Sequence, residues 1–388
     1  MNPESGIDTD LAPEYLELKA QIRRFARDRL APIASEIDEQ ERFPKDIYRE
    51  LGQHGFLGAA FPEEYGGGGS DLLANAIIKE ELGVISPGFA MSVGTSAIFF
   101  AYNILAFGTE EQKRKYIPPV LRGEKIGSWC LTEPNSGSDA LSISTRSRRE
   151  GDHWILQGSK TFITNAPIAD FFIVITRTDG QGINGGTSFV LDRETAGLTV
   201  GKPFKKLGMR CSPTSEVFLE NVKAAESAVL GKPGNGFRDM MLSLDSERAT
   251  APITSIAIAR ACLEMARDYA LKRKQFGQAI ADFQLTQLKL ADMAMNLAVA
   301  RNYAYKVIRM KMAGQDIRFE VAMAKRFAAQ MAQKAAADAL QIFGGYGFMR
   351  EYDVERFYRD VKLTDIGGGT SEIQALIIAK DLLKGKNP

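Results

Sequence analysis

Cysteine, histidine and tryptophan are scarce in this chain, and their scarcity removes several kinds of chemistry at once. The three cysteines, Cys130, Cys211 and Cys262, lie far apart with no paired spacing, so neither a disulfide framework nor a thiolate metal site is expected. Two histidines, His54 and His153, are too few for a histidine-rich metal centre and leave a Ser-His-Asp triad few candidates. An excess of one charge is also lacking. The 49 Lys and Arg against 48 Asp and Glu leave a net +1, without the basic surplus that a nucleic-acid partner calls for. The opening residues Met1-Asn2-Pro3-Glu4-Ser5 show neither the basic nor the apolar region of a secretory leader. A reducing compartment is expected, either a bacterial cytoplasm or an organelle matrix from whose protein a transit peptide has been removed.

Charge is absent altogether from Leu82 to Thr109, a run long enough to suggest a membrane span. Pro87, Gly88, Ser92, Gly94, Thr95, Ser96 and Asn103 interrupt it, so it reads as one or two buried helices beside a pocket. What remains is ordinary for a globular protein: 388 residues, 45% hydrophobic and 25% charged, enough for two or three domains.

The chain changes its grammar twice. Residues 12 to about 125 read as helix, with a Gly-rich break at Tyr65-Gly66-Gly67-Gly68-Gly69-Ser70. From about 127 to 225 come short β-rich runs, such as Phe171-Phe172-Ile173-Val174-Ile175-Thr176 and Ser188-Phe189-Val190-Leu191, which suggest an antiparallel sandwich or barrel. After Pro233-Gly234-Asn235-Gly236 the helical period returns. Leu288, Ala291, Met295 and Ala298 form one stripe, and Val321, Ala324, Ala328, Met331 and Ala335 another, as expected for a bundle of long helices. The predicted organisation is a helical domain over 1–126, a β domain over 127–237 and a helical bundle over 238–388.

Several motifs allow both a structural and a functional reading. Gly180-Gln181-Gly182-Ile183-Asn184-Gly185 has dinucleotide-fingerprint spacing, but a strand follows where such a site needs a helix, so it reads as a hairpin loop. The loop from Trp129 to Asp139 is a strand and turn that also offers backbone amides, Thr132 and Ser138 to a polar ligand. In Thr161-Phe162-Ile163-Thr164-Asn165, Phe162 fits either a core position or one beside a planar ring, with Thr164 at that ring's edge. Arg273-Lys274-Gln275-Phe276-Gly277 and Gln341-Ile342-Phe343-Gly344-Gly345 read as helix ends, the first with a guanidinium suited to phosphate. Gly367-Gly368-Gly369 precedes a last helix, for which Ser371 and Gln374 form a capping-box pattern. Glu247, in Leu244-Asp245-Ser246-Glu247-Arg248, reads as a first-turn carboxylate near the start of a helix.

In this order, together with Pro62-Glu63-Glu64-Tyr65-Gly66-Gly67 and Leu207-Gly208-Met209-Arg210, the motifs resemble the acyl-CoA dehydrogenase family over nearly the whole chain. The resemblance implies an α+β fold: an N-terminal helical domain, a middle antiparallel β domain and a C-terminal four-helix bundle. It also implies a homotetramer with one FAD per subunit, and electron-transferring flavoprotein as the acceptor. The implied reaction is α,β-dehydrogenation of an acyl-CoA thioester. In most members the base is a Glu just before the last helix, where this chain has Gly368. In isovaleryl-CoA and long-chain enzymes it comes from the position matching Glu247, while Gly368 matches the residue whose backbone N–H holds the thioester carbonyl.

The flavin residues implied are Trp129, Leu131, Thr132, Ser138, Phe162 and Thr164. Arg273, Phe276, Gln341 and Gly345 are implied to meet the FAD of a neighbouring subunit, and Thr370 and Glu372 its pyrophosphate or adenosine end. Ser138, Arg248 and Gly367 are implied on the substrate side. Phe162 stands where many relatives carry Trp. Gly367 and Gly368 leave room beside the acyl group, so a short branched or cyclic acyl chain is expected. The alternatives are a carrier-protein-bound acyl or prolyl substrate, enoyl-CoA reduction in the cell, an oxidase, and a non-catalytic partner subunit.

Overall fold

The computed structural model describes residues 11–178, 180 and 182–386, and the backbone alone of 245 and 246. The longest helices of the first region are α1 (Pro13–Phe25), α2 (Leu72–Ile85), α3 (Pro87–Phe107) and α4 (Glu110–Leu121). Their starts follow from capping chemistry. The Asp71 carboxylate accepts from the amides of Leu73 and Ala74 at the head of α2. Ser86 with Pro87 opens α3, and Thr109 and Gln112 cap α4 reciprocally. The Gly-rich break before α2 folds tightly back on itself, since a Cβ on Gly67 would lie 2.1 Å from the Phe61 carbonyl oxygen.

The uncharged run becomes α3, which by length and composition could cross a bilayer. In this fold 67% of its most apolar window is buried inside the protein. Phe100 stacks on Phe171 of the β region at 5.8 Å between centroids, and Phe99 packs on Trp129 at 5.1 Å.

The β region is one eight-stranded sheet: β1 (Gly127–Cys130), β2 (Arg146–Glu150), β3 (His153–Thr164), β4 (Phe171–Arg177), β5 (Gly186–Asp192), β6 (Leu198–Val200), β7 (Thr214–Ala225) and β8 (Val229–Leu230). Its order is β6-β7-β3-β2-β4-β5-β8, with β1 also paired to β4. Most pairings are antiparallel, but β1 and β2 both run parallel to β4. Such pairs need a long crossover, which the excursion through β3 provides. β4 and β5 form a hairpin. The glycine motif between them is followed by strand, which gives no helix N-terminus for a pyrophosphate; its Gln181, and Asp179 just before it, lie outside the described residues.

The last region is a bundle of α5 (Gly236–Lys272), α6 (Gln284–Met312), α7 (Arg318–Phe343) and α8 (Ser371–Leu382). Val321, Ala324, Ala328, Met331 and Ala335 are buried as their spacing predicts. The other stripe is corrected: Leu288 and Met295 are 58% and 59% exposed, and α6 buries Met293, Leu297, Ala300 and Ala304 instead. An apolar period marks a face that needs cover, and here two faces of one helix are apolar. Glu247 is also corrected, because α5 begins at Gly236 and places it in the helix interior. The last helix is capped by Thr370, whose hydroxyl accepts from Ile373 N. Ser371 turns to Asp365 and Gln374 to the Gly369 carbonyl.

A buried ionic network docks the first region on the bundle. Glu80 of α2 meets Arg260 and Arg301, each at 3.0 Å, and Tyr305 at 2.7 Å, while Glu81 meets Arg260 at 2.7 Å and Arg23 at 2.9 Å. Burial works to raise the Glu80 carboxyl, but its two arginines hold it down at about 2. The network fixes the register of α2 and so the place of the residue before it, Lys79.

Candidate active site

Two segments that the sequence separates lie side by side at the edge of the β region. Ser128 Oγ donates to the Thr164 carbonyl at 2.7 Å, and the Thr161 amide to the Thr132 carbonyl at 2.8 Å. Trp129, Leu131, Thr132, Phe162 and Thr164 are therefore brought together. Between Lys160 and Ile163 the β3–β7 register slips, and Phe162 adopts φ +57 with 68% of its surface exposed. A left-handed Phe costs conformational energy, and such strain concentrates at functional sites. Simple alternation along the strand did not predict that bulge. Ser138 lies farther along the same loop, exposed.

Beneath this loop is a pair that sequence reasoning missed. Lys160, fully buried, donates to the Leu131 carbonyl at 3.0 Å and to Glu133 Oε1 at 2.8 Å. Glu133 also accepts from the amide and hydroxyl of Ser144 and from the amide of Thr145. Burial acts to raise its carboxyl, but Lys160 and these donors hold it at about 2.

The second cluster joins α5 to the glycine turn before α8. Glu247 is half-buried as a residue, yet its Oε2 is closed off from solvent and accepts no hydrogen bond from any described residue. A Cβ built on Gly368 would lie 3.4 Å from Glu247 Oε2, 3.5 Å from Oε1 and 3.6 Å from Lys325 Cε. The carboxylate thus faces the space that a side chain at 368 would enter. Gly368 and Gly369 have φ of +65 and +94, a conformation suited to glycine.

Burial pushes the Glu247 carboxyl above its ordinary value, opposed by Lys79, Lys325 and Arg248. Lys79 donates to the Thr250 carbonyl at 3.1 Å, and Thr250 Oγ1 to the Glu247 carbonyl. Gly367 and Gly368 are exposed, and Arg248 is half-buried.

Helix α3 links the clusters. The Ser92 carbonyl accepts from the Asn165 side chain at 2.9 Å, while Val93, Gly94, Ala97 and Ile98 line a small cavity with Lys79 and Thr250. A third group lies apart from both. The Arg273 guanidinium sits over the Tyr346 ring at 5.5 Å in a surface pocket that includes Gly345. Phe276 projects from its hairpin, 94% exposed with φ +52, and Gln341 is exposed near the end of α7. Glu372 is exposed in the first turn of α8, beside Thr370.

A helical region, a β sheet and a helical bundle, with an exposed Phe162 ring on the sheet edge and the Glu247 carboxylate facing a glycine turn, are the arrangement of a flavin-dependent oxidoreductase of the CH–CH class, and the family matches assign the chain to it. The chain belongs to the acyl-CoA dehydrogenase family. The family's N-terminal, middle and C-terminal domain models match residues 12–124, 128–222 and 234–383. Family members are FAD-dependent oxidoreductases that dehydrogenate acyl-CoA thioesters.

The chain is 43% identical to a 3-(aryl)acrylate reductase of Clostridium sporogenes, over 95% of this chain and 100% of that one. It superposes on butyryl-CoA dehydrogenase from Megasphaera elsdenii with a TM-score of 0.94 at 38% identity, covering 97% and 100% of the two chains. A structure described as the electron transferring flavoprotein of Acidaminococcus fermentans contains a chain with a TM-score of 0.95 at 37% identity, with the same coverage.

Proposed function

We propose that the chain oxidises a short branched or cyclic acyl-CoA across its α,β bond, with Glu247 as the base. The observation that carries the reading is the Glu247 carboxylate facing the Gly368 turn, its buried Oε2 accepting from no described residue. A thioester α-proton is too weakly acidic to leave unaided, so a positioned base and a polarised carbonyl must act together. Glu247 Oε2 has its lone pairs uncommitted among the described residues, and the Gly368 N–H is the donor assigned to the thioester oxygen. Arg248, Ser138 and Gly367 complete the substrate side. The side-chain-free wall at Gly367 and Gly368 leaves room for branching near the reacting carbons.

The residues present fit an FAD: an exposed, strained Phe162 ring, the Thr164 hydroxyl, and a loop of amides and hydroxyls at Trp129, Leu131, Thr132 and Ser138. When bound, FAD supplies a hydride acceptor for the β-hydrogen. Arg273, Phe276, Gln341, Gly345, Thr370 and Glu372 are assigned to the FAD shared with a second copy. The exposed Leu285, Leu288, Met295 and Val299 of α6 support a homotetramer in which that face is covered. The electron acceptor proposed is an electron-transferring flavoprotein.

Anaerobic mixing of the purified yellow protein with isovaleryl-CoA tests the reading. Bleaching of the visible flavin band is expected. Absence of bleaching with isovaleryl and cyclic acyl thioesters, alongside bleaching by straight medium chains, overturns the substrate assignment. A second reading, reduction of an enoyl thioester with Glu247 returning the α-proton, is favoured by the relative named as a 3-(aryl)acrylate reductase. It predicts faster turnover from the reduced protein with an enoyl thioester than from the oxidised protein with the saturated one.

A further inference from the structure

Lys325 stands in a stripe of small residues on α7, between the buried Ala324 and Ala328, where a solvated lysine has no place. The residue is 4% exposed. Its ammonium donates to the Gly369 carbonyl at 2.6 Å and to the Thr364 carbonyl at 3.4 Å. Those two carbonyls bracket the turn that carries Gly368. Its Cε is also among the nearest atoms to the space in front of Gly368, together with the two Glu247 carboxylate oxygens. One side chain therefore touches the turn assigned to the thioester oxygen and flanks the carboxylate assigned to the α-proton.

We infer that Lys325 is a positioning residue that holds the Gly367–Gly369 turn in register with the Glu247 carboxylate beside it. The inference rests on the base assignment above. An ammonium has three donors and no acceptor, so it can hold two carbonyls and still present its charge to a nearby anion. Burial of that charge costs free energy unless it is so used.

The groups facing Glu247 come from several elements: Lys79 from α2, Lys325 from α7 and Arg248 from α5 itself. Asp365, ahead of the turn, faces Lys325 and is itself bonded to Lys362 and Ser371. The two lysines differ in what they hold. Lys79 bonds to Thr250 on the base's own helix, whereas Lys325 bonds only to the opposite wall. Both contribute charge, but of the two Lys325 is the one bonded to the glycine turn.

The test compares FAD-loaded Lys325→Met, Lys325→Arg and Lys79→Met with wild type by two readouts. One is amide hydrogen exchange over residues 364–370, and the other is the rate of flavin bleaching against pH. Lys325→Met is expected to speed exchange in the turn and to slow bleaching roughly 10²-fold, the cost of a misplacement near 1 Å. The acid limb of its pH profile should move up by about one pH unit, because a cation that favoured the carboxylate has been lost.

Lys79→Met should move the acid limb and leave turn exchange unchanged. Lys325→Arg should keep the acid limb near its wild-type position while exchange in the turn rises. Wild-type exchange and a wild-type pH profile in Lys325→Met, with Glu247→Gln inactive, overturn the inference. Wild-type bleaching in Glu247→Gln overturns the base assignment instead. If Lys325→Met does not fold, Lys325→Gln carries the same expectations. If neither folds, the wild-type protein decides: exchange over 364–370 as fast as in an unrestrained loop removes the clamp, and slow exchange supports it.

Discussion

Glu133 and Glu247 each turn a carboxylate oxygen away from solvent, and they are treated in opposite ways. Glu133 accepts from Lys160, the Ser144 amide and hydroxyl, and the Thr145 amide, so its lone pairs are consumed by the fold. Glu247 has an oxygen with no donor among the described residues, and its cations Lys79 and Lys325 hold neighbouring carbonyls. A saturated carboxylate fixes a loop and stays ionised. A carboxylate denied donors keeps its basicity and can accept a proton from something that enters the cleft.

The largest effect expected from this contrast is at Glu247. Glu247→Gln should lower the rate of flavin bleaching by about 10²–10⁴-fold while the visible spectrum of bound flavin persists. An equal effect from Glu133→Gln with FAD still bound would erase the distinction. Next comes Lys160→Met, which leaves Glu133 buried without its cation and should cost about 3–5 kcal/mol in denaturant unfolding. The double variant Lys160→Met/Glu133→Leu should recover much of that loss, since replacing both members of a buried pair with apolar groups is far less costly than breaking it.

A smaller effect is expected from moving the carboxylate. With Glu247→Gly in place, Gly368→Glu should restore bleaching on the order of tenfold, because both backbones address the same space. Recovery will be partial, as φ +65 at 368 strains any side chain.

The smallest effect is confined to acid. Glu80 is held at about 2, below its ordinary 4.5, so the stability it contributes is fully present above pH 4.5 and is lost as pH falls toward 2. Glu80→Gln should therefore flatten the fall in unfolding free energy across that window, by up to roughly 3 kcal/mol. A steeper fall in the variant would reverse the sign.

The contrast was only half legible in the sequence. Strand periodicity marked the β region, and the Val321–Ala335 stripe marked a buried helix face. Glu247 and Gly368 could be paired only through family resemblance, because 121 residues separate them and no local pattern measures a distance across the fold. Lys79, Lys160 and Lys325 were not legible. A single lysine on a helix or strand has the signature of a solvated side chain, and its burial depends on what packs over it. The Leu288–Met295 stripe failed for the converse reason: periodicity reports that a face is apolar and is silent on which neighbour covers it.

The uncharged helix α3 has a consequence for how the chain comes into being. Earlier residues cover part of it, Phe43 stacking on Phe89 and Tyr48 bonding to Ser96, and later ones cover the rest: Asn165 binds the Ser92 carbonyl, Ser92 binds Ser212, and Asn103 is held by Ser243. During synthesis it emerges before these later partners, as a bilayer-length apolar segment that the preceding helices hide only in part. A ribosome that stalls before the bundle is made would therefore release a fragment with the look of a membrane protein, and such a nascent chain would draw on chaperones early.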